Sequence, residues 1–374
     1  MVGSEGGRRP RIIYLGLRGI GGIQGGVETH AEEIIKYIPA DRFEVVVVGR
    51  SPYRKDSHGH VGVKVKWLPT LKNPLLETML HSVVGVLYAS YKRADILHVH
   101  AVGPNFITPL ARALGIKVVA THHGNDYNRE KWGLIARKVL RTGEYFAVKW
   151  TQACISISPI VALELRKKFN SEIDFIPNGA RLMTKIPAGA ELAARGLTGG
   201  RYIVNVARLV PEKRQLDLIA AFEKANVDGL SLVLVGGADH ESSYSRAVIE
   251  RANANPRIHM TGHISGAVLN EIFGNAGLFV LPSTHEGLPI VLLEAMSFGQ
   301  RVLLSDLAVY RAMGIPEDVI YPVGDTDALA KLIQSAFASF MPSHVDWSDI
   351  LSNYQWDKAA GRTIDVYERV LGTH

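Results

Sequence analysis

The chain reads as two α/β domains in tandem, each a doubly wound parallel sheet, and three features of the sequence predict it. Its 374 residues suffice for two cores of ordinary size. Short apolar runs alternate with helical stretches, as expected of parallel strands covered on both faces. The alternation lapses between Ala180 and Gly200 and then begins afresh. A hydrophobic fraction of 47% beside 21% charged residues excludes a disordered or fibrous chain.

Arg11 to Gly16 (RIIYLG) is the first buried strand, entering a glycine loop of the phosphate-binding kind. Strands are expected next at Phe43–Val48, Ile96–Val99, Lys117–Thr121, Ala153–Ile157 and Asp174–Ile176, with the clearest helices at Glu28–Ile38 and Ile107–Leu114. The segment Ala180–Gly200, with Ala188-Gly-Ala and Leu197-Thr-Gly-Gly, is the linker. The second cycle has strands at Tyr202–Val206, Ser231–Val235, Ile258–Thr261, Leu278–Leu281 and Arg301–Leu304, and helices at Gln215–Ala225 and Val268–Asn275. A last amphipathic helix runs to about Leu371, with Ala360, Ile364, Tyr367 and Leu371 at helical spacing. The expected domains are residues 1–182 and 183–354, followed by the helix 355–374. In doubly wound sheets ligands gather at the carboxyl ends of strands, so functional motifs belong in strand-to-helix loops.

One cysteine, Cys154, excludes an internal disulfide, and no apolar signal segment opens the chain; both point to a reducing cytoplasm. No run of about 18 apolar residues predicts a transmembrane helix. The net charge of +6 is unevenly placed: residues 1–180 carry 25 Lys and Arg against 15 Asp and Glu, the remainder 17 against 21. A basic half suits an anionic partner. Nucleic acid fits poorly, because no recognised binding motif accompanies the charge. An anionic membrane surface or a phosphorylated substrate fits better, each Lys or Arg at a leaflet surface contributing about 1 kcal/mol. The candidates are Arg54, Lys55, Lys64 and Lys66 with Trp67, followed by the apolar helix Leu75–Tyr88.

The most informative stretch is Ser283 to Gly299 (STHEGLPIVLLEAMSFG). Glu286 and Glu294 stand eight residues apart around Gly287-Leu288-Pro289, which opens an apolar helix. Pro289 suits the first helical position, placing Glu286 in the preceding loop and Glu294 in the second turn. The exposed N–H groups of that helix start form an anion site. Arg208 and Lys213, five residues apart in another strand-to-helix loop, offer a planar fork and a movable point charge to a diphosphate. Gly236, and the Gly262-His263-Ile264 stretch, end strands where a backbone can approach a nucleotide closely.

In the first half, Gly25 and Gly26 close a glycine-rich loop that continues Val-Glu28-Thr-His30. A dinucleotide fingerprint is excluded, because Gly16, Gly19, Gly21 and Gly22 lack the G-x-G-x-x-G spacing. Thr121-His122-His123-Gly124-Asn125-Asp126-Tyr127, followed by Arg129-Glu-Lys131-Trp132, is the other informative block. Paired histidines invite a zinc reading, but no further Cys or His follows at ligand spacing, although His98 and His100 could join them in space. Asp325-Thr-Asp327 could be read as a metal-binding Asp-x-Asp; preceding Ala-Leu-Ala, it reads as a helix cap.

These motifs, in this order, resemble the retaining nucleotide-sugar glycosyltransferases of the GT-B fold, in particular family 4. The closest likeness is to bacterial rhamnosyl- and mannosyl-type members of surface-glycan pathways. The resemblance implies two Rossmann-like domains facing a cleft, with the last helix crossing back to the first. It assigns Glu286 and His123 to the donor sugar, Glu294 to the ribose, His263 and Ile264 to the base, and Arg208 with Lys213 to the leaving diphosphate. The paired glycines Gly25 and Gly26, the Gly236 turn and Gly287-Leu288-Pro289 complete the donor site. The substrates implied are a nucleoside-diphosphate sugar and a lipid-linked or oligosaccharide acceptor, reached from the cytoplasm or the inner face of the plasma membrane. No metal and no cofactor are expected, because the two cations take the metal's task. A glycoside hydrolase using both glutamates is the first rival, disfavoured by cations that simple hydrolysis does not need. A sugar-nucleotide epimerase of the same fold and an inactive sugar-binding homologue are the others.

Overall fold

Seven parallel strands make the first sheet: β1 (Arg11–Leu15), β2 (Glu44–Arg50), β3 (Lys64–Leu68), β4 (Ile96–His100), β5 (Lys117–His122), β6 (Ala153–Ser156) and β7 (Asp174–Phe175), in the order β3-β2-β1-β4-β5-β6-β7. The second has six: β8 (Tyr202–Val206), β9 (Ser231–Val235), β10 (Ile258–Gly262), β11 (Leu278–Leu281), β12 (Val302–Ser305) and β13 (Ile320–Tyr321), in the order β10-β9-β8-β11-β12-β13. This computed structural model describes residues 8–54, 63–70, 76–124, 133–238, 241–338 and 344–373. The chain divides into Met1–Asn178 with Trp356–His374, and Gly179–Gln355. The division falls slightly before the boundary expected at 182.

The centre of each sheet is buried because its strands are largely apolar. Ile12, Ile13, Tyr14 and Leu15 of β1 are fully buried, as are Phe279, Val280 and Leu281 of β11. The helix Leu76–Tyr91 lies on the first sheet through Val86 and Ala89, which join Ile13, Leu15, Leu97 and Val99 in one cluster. Gly85 lets it come close, since a Cβ there would stand 2.3 Å from a Leu15 methyl.

Two strands were not expected. β3 (KVKWL) alternates exposed and covered positions at the sheet's edge, so its lysines read as a basic patch when the chain is scanned for apolar runs. β13 has only two residues. The helix after Pro289 also starts one position later than expected: it spans Ile290–Ser297, and Pro289 caps it with extended ψ of 115°. Glu294 remains in the second turn.

The last helix, Trp356–Leu371, packs against the helix Gly26–Lys36. Its Tyr367 hydroxyl meets the Tyr14 hydroxyl at 2.7 Å and His98 Nδ1 at 2.6 Å, both buried. Arg369 pairs with Asp174 on the same unit. Among the described residues, no helix is long and apolar enough to cross a membrane.

Candidate active site

Both sheets reverse their winding at one place. In the second sheet β8 continues to β9 and β10 on one side, and β11 to β12 and β13 on the other, so the loops after β8 and β11 flank a topological switch point, where doubly wound sheets bind ligands. Those two loops carry the cations and the glutamates. After β8 the chain makes a 3-10 turn, Pro211–Lys213, and after β11 it runs through Ser283 to Pro289. The loops are tied by backbone, since Thr284 N–H donates to the Glu212 carbonyl at 2.9 Å. Lys213 Nζ then pairs with Glu286 Oε1, which also accepts from Ser283 Oγ at 2.6 Å. With side chains only 18% and 9% exposed, this pair is shielded from solvent, where removing one partner strands the other's charge.

Arg208 lies at the same β8 end, partly exposed, and its carbonyl accepts from Gln215 Nε2 at 2.8 Å. Glu294, half-buried, sits one helix face further on. Gly236 N–H donates to the Gly262 carbonyl at 2.8 Å, joining the ends of β9 and β10. At Gly262 (φ 65°) and at the neighbouring Gly237 a Cβ would meet nothing within 4 Å, so that rim is open to a ligand. His263 is exposed there and Ile264 partly covered; Leu288 is buried and Gly287 partly exposed. Asp325 Oδ1 accepts from the N–H groups of Asp327 and Ala328, the cap expected of that segment.

The first sheet reverses between β1 and β4. The loop after β1 reaches the helix Gly26–Lys36 through Gly25, whose φ of 152° suits glycine. A Cβ on Gly25 would collide with Glu28 and Arg18, while one on Gly26 would meet open space. Glu28 therefore serves the loop itself: its carboxylate accepts from Arg18 Nε at 3.0 Å and from Arg18 N–H at 3.2 Å.

Around that loop four imidazoles converge. His98 and His100 end β4, His123 follows β5, and His30 reaches in from the helix. His30 Nδ1 meets Asn178 Oδ1 at 2.8 Å, His98 Nε2 meets Thr121 Oγ1 at 2.7 Å, and His100 Nδ1 lies 3.1 Å from His123 Nε2. Burial pushes His30 down to about 4 and His98 to about 3. Burial and then the neighbouring imidazoles push His100 and His123 well below the usual histidine range. All four are thus neutral hydrogen-bonding groups at neutral pH. His123 is the partly exposed member, whereas His122 points inward, accepting from Gly124 N–H at 3.2 Å and facing Glu144 at 3.4 Å. Burial alone would raise Glu144, but His122 and Lys168 outweigh it and hold this carboxyl below its usual range.

In the sequence His30 stands only as the end of the glycine-loop motif; its meeting with His100 and His123 depends on which strands are neighbours. Of the basic patch, Arg54, Lys64 and Lys66 are exposed, whereas Trp67 is not free to meet a partner. Trp67 is packed over Gly19 and Gly49, whose added Cβ atoms would stand 2.5 and 2.6 Å from its ring, and Lys64 pairs with Glu44 at 3.3 Å. Lys55, Leu75, Asn125 to Tyr127, Arg129, Lys131 and Trp132 lie outside the described residues.

Two Rossmann-like units of this kind define the GT-B architecture. Sucrose-phosphate synthase from Thermosynechococcus elongatus superposes with a TM-score of 0.78 at 19% identity, covering 98% of this chain and 100% of that one. A family model described as glycosyl transferases group 1 matches residues 193–347, and one described as Glycosyltransferase Family 4 matches 24–182. The chain belongs to the family 4 glycosyltransferases and is a glycosyltransferase. A GDP-mannose:cellobiosyl-diphosphopolyprenol alpha-mannosyltransferase of Komagataeibacter xylinus is 24% identical over 339 residues, 87% of this chain and 82% of its own. A UDP-Gal:alpha-D-GlcNAc-diphosphoundecaprenol alpha-1,3-galactosyltransferase of Escherichia coli is 26% identical over 300 residues, 75% and 76% respectively.

Proposed function

We propose that the protein transfers a sugar, with retention, from a nucleoside-diphosphate sugar to a lipid-linked glycan acceptor in bacterial surface-polysaccharide synthesis. The observation that carries this reading is the Arg208, Lys213 and Glu286 grouping on the two loops of the second switch point. Arg208 and Lys213 neutralise the departing diphosphate, as preorganised charges do at a developing anion, so that no metal ion is required. The helix start at Ile290 adds its N–H groups, Glu294 binds the ribose, and the Gly236 and Gly262-His263-Ile264 rim takes the base. On the first unit Gly25 and Gly26 are assigned to the diphosphate and His123 to the sugar; on the second Glu286 is assigned to the sugar.

Retention is proposed with Glu286 as a sugar-binding group and not as a nucleophile. Its carboxylate accepts from both Lys213 and Ser283, which suits binding a hydroxyl and not attacking carbon. The acceptor hydroxyl then attacks from the face the diphosphate leaves. Both relatives act on diphospholipid acceptors and are named for α-linked transfer.

Membrane association at the inner leaflet belongs to the same reading. The helix Leu76–Tyr91 exposes Leu80, Val83, Leu87 and Tyr91, the last 78% exposed, along one stripe. The helix Leu134–Lys149 exposes Leu134 and Ile135, with the exposed Lys138 one turn on and Arg141 about two. An apolar edge beside cations suits an anionic leaflet.

Radiolabelled UDP-, GDP-, ADP- and dTDP-sugars offered with a diphosphopolyprenyl-linked glycan, in excess chelator, test the reading. Label in the lipid fraction with unchanged anomeric configuration is the expected result. Release of free sugar would show a hydrolase, and donor binding without turnover an inactive homologue.

A further inference from the structure

His30, His100 and His123 present nitrogens that all lie within 4.8 Å of one another. Their ring centroids stand 4.9, 5.4 and 5.7 Å apart. Three imidazoles around one tetrahedral zinc, at Zn–N about 2.0–2.1 Å, place their centroids about 5 Å apart. The 3.1 Å between His100 Nδ1 and His123 Nε2 matches the roughly 3.3 Å between adjacent ligand atoms of such a sphere.

Two separate features point the same way. The other side of the His30 ring is fixed by Asn178 Oδ1, as metal-binding imidazoles are oriented by an outer partner. His100 is fully buried with its Nδ1 turned to His123 Nε2, so both rings are held in place by the fold. The rings are neutral, the state a ligand needs, and His123 is partly exposed, which gives an ion a way in.

We propose that His30, His100 and His123 form a binding site for a zinc-like divalent transition-metal ion, and that the bound ion inhibits transfer by taking His123 from the donor sugar. All-imidazole donors suit zinc, cobalt, nickel or copper; magnesium and calcium take oxygen ligands. Three protein ligands leave a fourth position open. The inhibitory half rests on the reading of His123 given above. The binding half stands on the three rings alone.

Protein stripped with chelator is titrated with Co²⁺ and followed by its visible d–d absorption. Bands of a low-coordinate site are expected at one equivalent and should vanish on adding Zn²⁺. His123→Gln, at the partly exposed rim, and His30→Gln each abolish them in protein whose melting shows it folded. Asn178→Leu, outside the coordination sphere, weakens Co²⁺ binding about 10–100-fold. Absence of bands from folded wild-type protein, or bands that persist in both His→Gln variants, overturns the site. In the transfer assay Zn²⁺ should inhibit with an apparent constant that rises with donor concentration. Inhibition indifferent to donor overturns the inhibitory half. Cobalt binding by protein that transfers no sugar supports the site and contradicts the transferase reading, so the two failures are distinguishable.

Discussion

The two switch points differ in the electrostatics they present. After β8 and β11 the chain places fixed charges, Arg208, Lys213 and Glu286, two of them locked together. After β1, β4 and β5 it places imidazoles stripped of charge by burial. The same fold thus builds one rim suited to a diphosphate and another suited to uncharged hydroxyls. Burial sets the difference. A cation can be kept beside a carboxylate that compensates its desolvation, whereas a histidine taken inside with neutral partners gives up its proton.

The largest expected effect falls on the charged rim. Arg208→Ala and Lys213→Ala should each lower kcat by about 10²–10³-fold, the scale for removing a donor aimed at developing charge. Losses under fivefold in steady-state transfer would erase the contrast between the rims. The neutral rim should speak next, through pH. The unfolded chain protonates its histidines near 6.5, while folded His30 and His98 hold out to about 4 and 3. Between those values the unfolded state binds more protons, so stability is complete above pH 6.5 and falls as pH drops toward 4, by roughly 1.4 kcal/mol per unit for each such group. A melting temperature flat from pH 7 to pH 4.5 would mean that these rings are not neutral by burial.

His123→Ala should cost about tenfold in kcat/KM, the order of one hydrogen bond to a sugar hydroxyl. A loss as large as that from Lys213→Ala would give both rims the same task. The smallest effect concerns the membrane. Leu87→Glu with Tyr91→Glu should reduce flotation with anionic liposomes several-fold and leave transfer to a soluble acceptor unchanged. Equal flotation would dismiss that stripe as a docking edge.

The buried strands were legible because sheets covered on both faces need apolar runs: β1, β9 and β11 have them, and β4, β5 and β8 are broken only by His98, Thr121 and Asn205 or by polar ends. β3 was not, because an edge strand pairs on one side only and tolerates Lys64 and Lys66; the partner of Trp67 is a pair of glycines, Gly19 and Gly49, that spacing cannot reveal. In the charged rim, Arg208 with Lys213 and Glu286 with Glu294 could be read from short spacings, since each pair lies on one loop or its helix. That Lys213 closes on Glu286 depends on β8 and β11 being neighbours, a property of strand order. The histidine cluster draws on three separate segments, and its charge state depends on burial, which local pattern does not carry.

The central proposal is that protein cations, and no metal, grip the donor's diphosphate. Calorimetric titration of the matching nucleoside diphosphate in excess chelator tests this directly, with wild-type protein beside Arg208→Ala/Lys213→Ala. Wild-type protein should bind and the double variant should bind at least about a hundredfold more weakly, as expected when charge-assisted hydrogen bonds to phosphate are removed. Equal binding by the two, or wild-type binding that appears only when Mg²⁺ is restored, would contradict it.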